Sequence, residues 1–149
     1  MTSYADTGFL LSLYLPESTT AAANAAMRSV KPPLPLTPLG LLELQVALYL
    51  TVFRRQITEP QRREAWQLIE GDIRGELFAP TPIPSAALYE DAAKLAEKYS
   101  PTIGTRTLDL LHVAAGLRLG ARVFLSFDVR QRKAAEGEGL RVLPRAWRR

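Results

Sequence analysis

Of the fifteen acidic side chains in this 149-residue chain, four sit among apolar neighbours: Asp6, Glu43, Asp109 and Asp128. Asp109 is followed at once by Leu110 and Leu111, and Asp128 closes the run Val123-Phe124-Leu125-Ser126-Phe127. Glu43 lies within TPLGLLELQVAL, with apolar residues one turn away on both sides, and Asp6 follows the short run SYA. An ionised carboxylate withdrawn from water must be paired, neutralised or liganded. No lysine lies between Asp109 and Asp128, and Arg118 and Arg122 belong to a helix end and a strand start. Carboxylates gathered in one cleft repel one another unless a cation lies between them. Oxygen donors without cysteine favour a hard ion, Mg²⁺ or Mn²⁺ (one or two), over zinc.

Each acid also has a plainer reading. Asp6 can cap the first helix, Asp128 can cap the helix starting at Val129, and Asp109 gains from a helix dipole. Glu43 has the fewest alternatives, so the four persuade as a set. Thr7 and Ser126 offer hydroxyls beside the strand-end acids and suit a supporting role around such a cation. Arg130 follows Asp128 closely enough to reach a phosphate held there. His112, the only histidine, shares a helix face with Asp109; it reads as a core residue hydrogen-bonded to backbone, not as a catalytic base.

These groups are positioned by elements legible in the periodicity. Residues 3–5 form a minimal strand, and a helix entered through Asp6 or Thr7 ends at Pro16. Ser18, Thr19 and Thr20 cap an alanine-rich helix over 21–30. The proline-rich 31–38 admits only a short edge strand at 34–37. Residues 40–53 spell a helix apolar nearly all round, either buried on most faces or covering a partner. Amphipathic helices follow at 58–71 and 85–99, separated by an extended piece at 77–79. Thr105 or Thr107 opens a helix that stops at Gly120, then come a strand at 122–126, a helix at 129–138 and a last strand at 140–143. Short strands separated by helices indicate an α/β domain with a parallel sheet. Such sheets bind ligands at their carboxyl edge, where Asp6 and Asp128 end strands and the helix starts bearing Glu43 and Asp109 can face.

Composition sets the remaining bounds. The absence of cysteine excludes disulfides and thiolate sites. No window approaches the roughly 20 continuous apolar residues of a membrane span, and no signal peptide is evident, so a cytoplasmic location is expected. The net charge of +4 equals the four arginines of the last nine residues, RVLPRAWRR, so it is weak evidence for a polyanionic partner. Trp147 in that tail can stack on a base or anchor a partner segment, with disorder as the default.

The segments YADTGFLLSLYLPE, PLGLLELQVAL and TLDLLHVAAGLRLGARVFLSFDVRQRKAAEGEGLRVLP together resemble PIN-domain proteins of the VapC toxin type. The resemblance covers nearly the whole chain and implies a three-layer α/β/α fold, a short-stranded parallel sheet flanked by helices, over residues 1–144, with 145–149 as a basic tail. It assigns the metal-binding acids to Asp6, Glu43, Asp109 and Asp128. It further implies a Mg²⁺- or Mn²⁺-dependent endoribonuclease that forms a homodimer and is neutralised by a cognate antitoxin, with DNA contacted only through that antitoxin. A catalytically silent RNA- or protein-binding module is the alternative. Asp6-Thr7-Gly8 matches an aspartic-protease triplet, but that chemistry needs two such triplets in a β-rich fold. A phospho-acceptor receiver domain needs a lysine after a late strand, and Lys31, Lys94, Lys98 and Lys133 are placed elsewhere.

Overall fold

Tyr4, Phe124 and Val142 look to one side of a short parallel sheet, and Ala5, Val123 and Leu125 look to the other. This is the period-two alternation of strands buried on both faces. The structure, a computed structural model, describes residues 2–146. Strand β1 (Ser3–Ala5) pairs in parallel with β4 (Val123–Leu125), which pairs in parallel with β5 (Arg141–Leu143). Strands β2 (Leu34–Leu36) and β3 (Phe78–Pro80) form a separate parallel pair. The expected single sheet is thus divided between β1 and β2, and Pro35 supplies a reason. The Leu34 amide and the Leu36 carbonyl both bond toward β3; the amide of residue 35 would point the opposite way, and proline has none.

Helices cover both faces. On one, α5 (Ser85–Ile103), α6 (Thr107–Arg118) and α7 (Val129–Gly137) pack around Leu95, Leu110, Val113 and Phe124. On the other, α1 (Thr7–Tyr14), α2 (Thr20–Met27) and α3 (Pro38–Phe53) enclose Phe9, Leu10, Ala26 and Leu44. Helix α4 (Glu59–Arg74) extends that layer through Ala65 and Ile69, which meet Leu15 and Leu48. Helix α6 approaches the sheet closely because Gly116 has no side chain; a Cβ there would lie 3.4 Å from both Tyr4 and Phe124. No helix among the described residues is long and apolar enough to cross a membrane.

Several boundaries differ from the sequence reading for local reasons. Helix α3 starts two residues before Gly40, since Thr37 caps it by accepting the Gly40 amide and Pro38 suits the first turn. Helix α2 ends at Met27, ahead of the Pro32-Pro33 pair that cannot continue it. Helix α4 runs past Gly71 to Arg74, with Gly75 as its cap, and α5 runs past Tyr99, with Pro101 in its last turn and left-handed Gly104 closing it. Helix α6 opens at Thr107, one of the two expected starts, with Arg106 in the capping position before it. Thr105 instead turns its hydroxyl to Ser100. Helix α3 is not buried all round: Leu42, Val46, Tyr49, Leu50 and Phe53 form an exposed stripe, with Phe53 82% accessible. Trp147, Arg148 and Arg149 lie outside the described residues.

Candidate active site

At the carboxyl edge of the sheet, β1 delivers Asp6 and β4 delivers Ser126 side by side, because the Asp6 amide bonds to the Leu125 carbonyl. Helix α3 begins at this edge because it follows a strand. Helix α6 begins there too, because it runs back antiparallel to lead into β4. The result is a cleft of about 430 Å³ lined by Asp6, Thr7, Gly8, Glu43, Arg106, Thr107, Leu108, Asp109, His112 and Gln131. A slightly larger cleft of about 480 Å³ beside Tyr14, Ile57 and Leu68 includes Glu17 and Glu64 but none of the strand-end acids. The chemistry therefore favours the smaller one.

Asp6 is 3% exposed and doubles as the cap of α1. Its Oδ1 accepts the Phe9 amide at 2.7 Å and its Oδ2 accepts the Ser126 hydroxyl at 2.6 Å. Burial pushes its pKa above the usual carboxylate range. Nearby His112, the Ser126 hydroxyl and the Phe9 amide pull it back, while Asp128 adds to the rise. Asp109, also buried, reaches back to the Arg106 amide at 2.9 Å, half of a capping box. Its other oxygen accepts the Gln131 side-chain amide at 3.3 Å, and the Arg106 and Arg130 guanidinium groups stand 3.9 and 4.0 Å from Oδ2.

Glu43 reaches the cleft from α3. Its Oε1 accepts the Thr7 hydroxyl at 3.1 Å and lies 2.5 Å from His112 Nε2. The other ring nitrogen of His112, Nδ1, meets the Tyr4 hydroxyl at 2.8 Å. The expectation that His112 bonds to backbone is therefore wrong: its partners are side chains on β1, α1 and α3. Asp128 occupies a different situation. Its Oδ1 caps α7 by accepting the Arg130 and Gln131 amides, and it is not among the residues lining the cleft. It connects to Asp6 through Ser126, whose Oγ accepts the Asp128 amide at 3.0 Å.

The structure brings Asp6, Glu43, Asp109 and Thr7 to one cleft, sets Ser126 and Asp128 immediately behind Asp6, and puts Arg130 beside Asp109. Among the described residues, no three acidic or histidine side chains close around one point as a finished metal cage. The donor chemistry nonetheless fits a hard divalent cation: three carboxylates, no thiolate, and both hydrogen bonds to Glu43 falling on Oε1. Sequence reasoning missed Arg106 and Gln131. Arg106 is three residues before Asp109, a spacing that brings side chains together on a helix. Gln131 is reached only through the packing of α7 on α6.

A parallel α/β domain with acids at the carboxyl edge of its strands defines the class. The family match is more specific: the PIN domain model matches residues 3–137, and the chain belongs to that family. Comparison with curated protein sequences gives no match. Among solved structures, the chain is similar to a protein of a toxin–antitoxin complex from Klebsiella pneumoniae at 13% identity and TM-score 0.64, over 96% of this chain and 97% of the other. It is similar to a chain of FitAcB from Neisseria gonorrhoeae at 14% identity and TM-score 0.66, again over 96% and 97%. It also resembles Mycobacterium tuberculosis VapC20, a sarcin–ricin-loop-cleaving toxin, at 17% identity and TM-score 0.65, over 89% of this chain and 95% of that one. At these identities the shared property is the three-layer α/β/α fold.

Proposed function

We propose that this PIN domain is a divalent-metal-dependent endoribonuclease of the VapC toxin type, acting in the cytoplasm and restrained by a cognate antitoxin. The observation that carries the reading is the meeting of Asp6, Glu43 and Asp109, from three distant segments, in one cleft at the carboxyl edge of the sheet. Membership of the PIN family supports it, as does the likeness to a toxin that cleaves RNA and to a chain solved in a toxin–antitoxin complex.

Asp6, Glu43 and Asp109 are the residues that would hold Mg²⁺ or Mn²⁺, with Asp128 as the fourth carboxylate, linked to Asp6 through Ser126. When bound, such a cation supplies a more acidic water and electrostatic stabilisation of a phosphate. Ser126 holds Asp6 in place, and Thr7 does the same for Glu43. Arg130 and Arg106 present guanidinium groups at the cleft for the RNA phosphates. The exposed apolar stripe of α3 supports the partner half of the reading, a homodimer or a bound antitoxin segment.

A second reading, a module that binds RNA or protein without cutting, draws on one observation: protein donors already occupy both oxygens of Asp6 and of Asp109. Incubating EDTA-stripped protein with structured RNA and adding back Mg²⁺ or Mn²⁺ separates the two. Fragments that appear only on metal addition support the nuclease; tight binding without fragments supports the module.

A further inference from the structure

We propose that His112 is a positioning residue for Glu43, the middle member of a Tyr4–His112–Glu43 chain that aims a single oxygen of that carboxylate at the cation. The proposal rests on the metal-nuclease reading and deepens it. His112 is 2% exposed, and both of its ring nitrogens are committed, Nδ1 to the Tyr4 hydroxyl and Nε2 to Glu43 Oε1.

The direction of the His112–Glu43 bond does not depend on the charge of the ring. An ionised Glu43 only accepts, so Nε2 carries the proton in either state. In the neutral ring Nδ1 is then an acceptor, and the Tyr4 hydroxyl donates to it. In the charged ring Nδ1–H donates to the Tyr4 oxygen instead. Thr7 adds a second donor to the same Glu43 oxygen. Oε1 is thus tied back twice, and among the described residues no hydrogen bond claims Oε2.

The need for such a tie follows from the placement of Glu43. Its side chain has three rotatable bonds and projects from α3, the helix after β2, and β2 forms no ladder with β1. Asp109 projects from α6, one turn before His112 on the same face. Tyr4 belongs to β1, next but one to Asp6 in sequence. The His112 ring therefore pins the α3 carboxylate to the two elements that carry the other acids. Hydrogen-bonded partners of metal ligands typically change metal affinity by about 10–100-fold when removed.

The test is Mn²⁺ titrated into folded, RNA-free protein, with bound ion counted from the loss of the free-ion electron paramagnetic resonance signal. His112→Leu should weaken Mn²⁺ binding about 10–100-fold, and His112→Gln, which keeps a donor, should recover part of it. Tyr4→Phe removes one hydroxyl outside the cleft and should weaken binding about 2–10-fold; it carries the test if His112→Leu fails to fold. Asp109→Asn serves as the control for the underlying reading and should lose binding. If Asp109→Asn loses Mn²⁺ while His112→Leu and Tyr4→Phe bind it like the parent, the positioning role is wrong and the metal site stands. If the parent protein binds no Mn²⁺, the metal site and the positioning role fall together.

Discussion

The Ser126 hydroxyl donates to Asp6 Oδ2 at 2.6 Å across 120 positions of sequence, and Ser126 Oγ in turn accepts the backbone amide of Asp128 at 3.0 Å. A serine with no exposure thus joins the two acids that end β1 and β4. It offsets part of the repulsion between them, but burial still keeps Asp6 above the usual carboxylate range.

That elevation predicts the stability of Asp6→Asn. Below about pH 4 the carboxyl is protonated both folded and unfolded, so the native state carries no penalty. As pH rises past the unfolded value, the unfolded chain releases its proton first, and the native state loses stability until the raised folded pKa is passed. Asp6→Asn, free of this loss, should melt higher than the parent at pH 7 without added metal, by roughly 2–4 °C per kcal/mol relieved. The gain should vanish toward pH 4, and thermal melts across pH measure it. Cleavage should be lost at the same time.

Asp128 has a structural duty that substitution can separate from chemistry. Asp128→Ala removes the cap of α7 and should cost about 1 kcal/mol, whereas Asp128→Asn keeps a capping oxygen and should melt like the parent. If the side chain also serves the loaded site, Asp128→Asn should still cut RNA at least about tenfold more slowly. Melting curves and initial cleavage rates on the same preparations decide this.

Arg106 and Arg130 should act on RNA binding. Replacing either with Gln should weaken binding and lower the salt dependence by about 0.7 of a log unit per log unit of salt, the value for one phosphate contact on a single strand. Mn²⁺ affinity should stay the same or rise, because a cation near Asp109 has been removed. Filter binding across a salt series provides the check.

Tyr49 and Phe53 lie one turn apart on the exposed face of α3. Tyr49→Glu with Phe53→Glu should change the oligomeric state if this stripe is the dimer face, with little effect on melting of the monomer. Light scattering coupled to size exclusion measures the mass directly; an unchanged dimer would move the interface elsewhere.

Much of this molecule was legible because local signals agreed with the fold. The pairs Asp6-Thr7 and Asp128-Val129 mark strand-to-helix turns, and the unbroken apolar run Val123-Phe124-Leu125 marks a strand buried on both faces. The amphipathic pattern over 58–71 marks helix α4, whose start the structure closes with a Thr58–Gln61 capping box. Side-chain partnerships were less legible. That His112 would meet Glu43, 69 positions away, depends on how α3 and α6 lie across the sheet, which periodicity does not encode. The break between β1 and β2 was hidden for a related reason, since Pro35 matters only once its missing amide has a direction. Asp128 shows the converse: the motif identified a carboxylate at the right edge, while the local competition between cap and cleft was settled by the first turn of α7.

The most direct trial of the central claim compares the parent and Asp109→Asn in single-turnover cleavage of a structured RNA at saturating Mg²⁺, both purified identically and shown folded. The cleft described above predicts metal-dependent cuts by the parent and a rate at least about 100-fold lower for the variant, a loss typical of removing a group that stabilises the transition state. Equal rates for the two proteins, or cleavage that persists in EDTA, would mean that the acids of this cleft do not carry the chemistry.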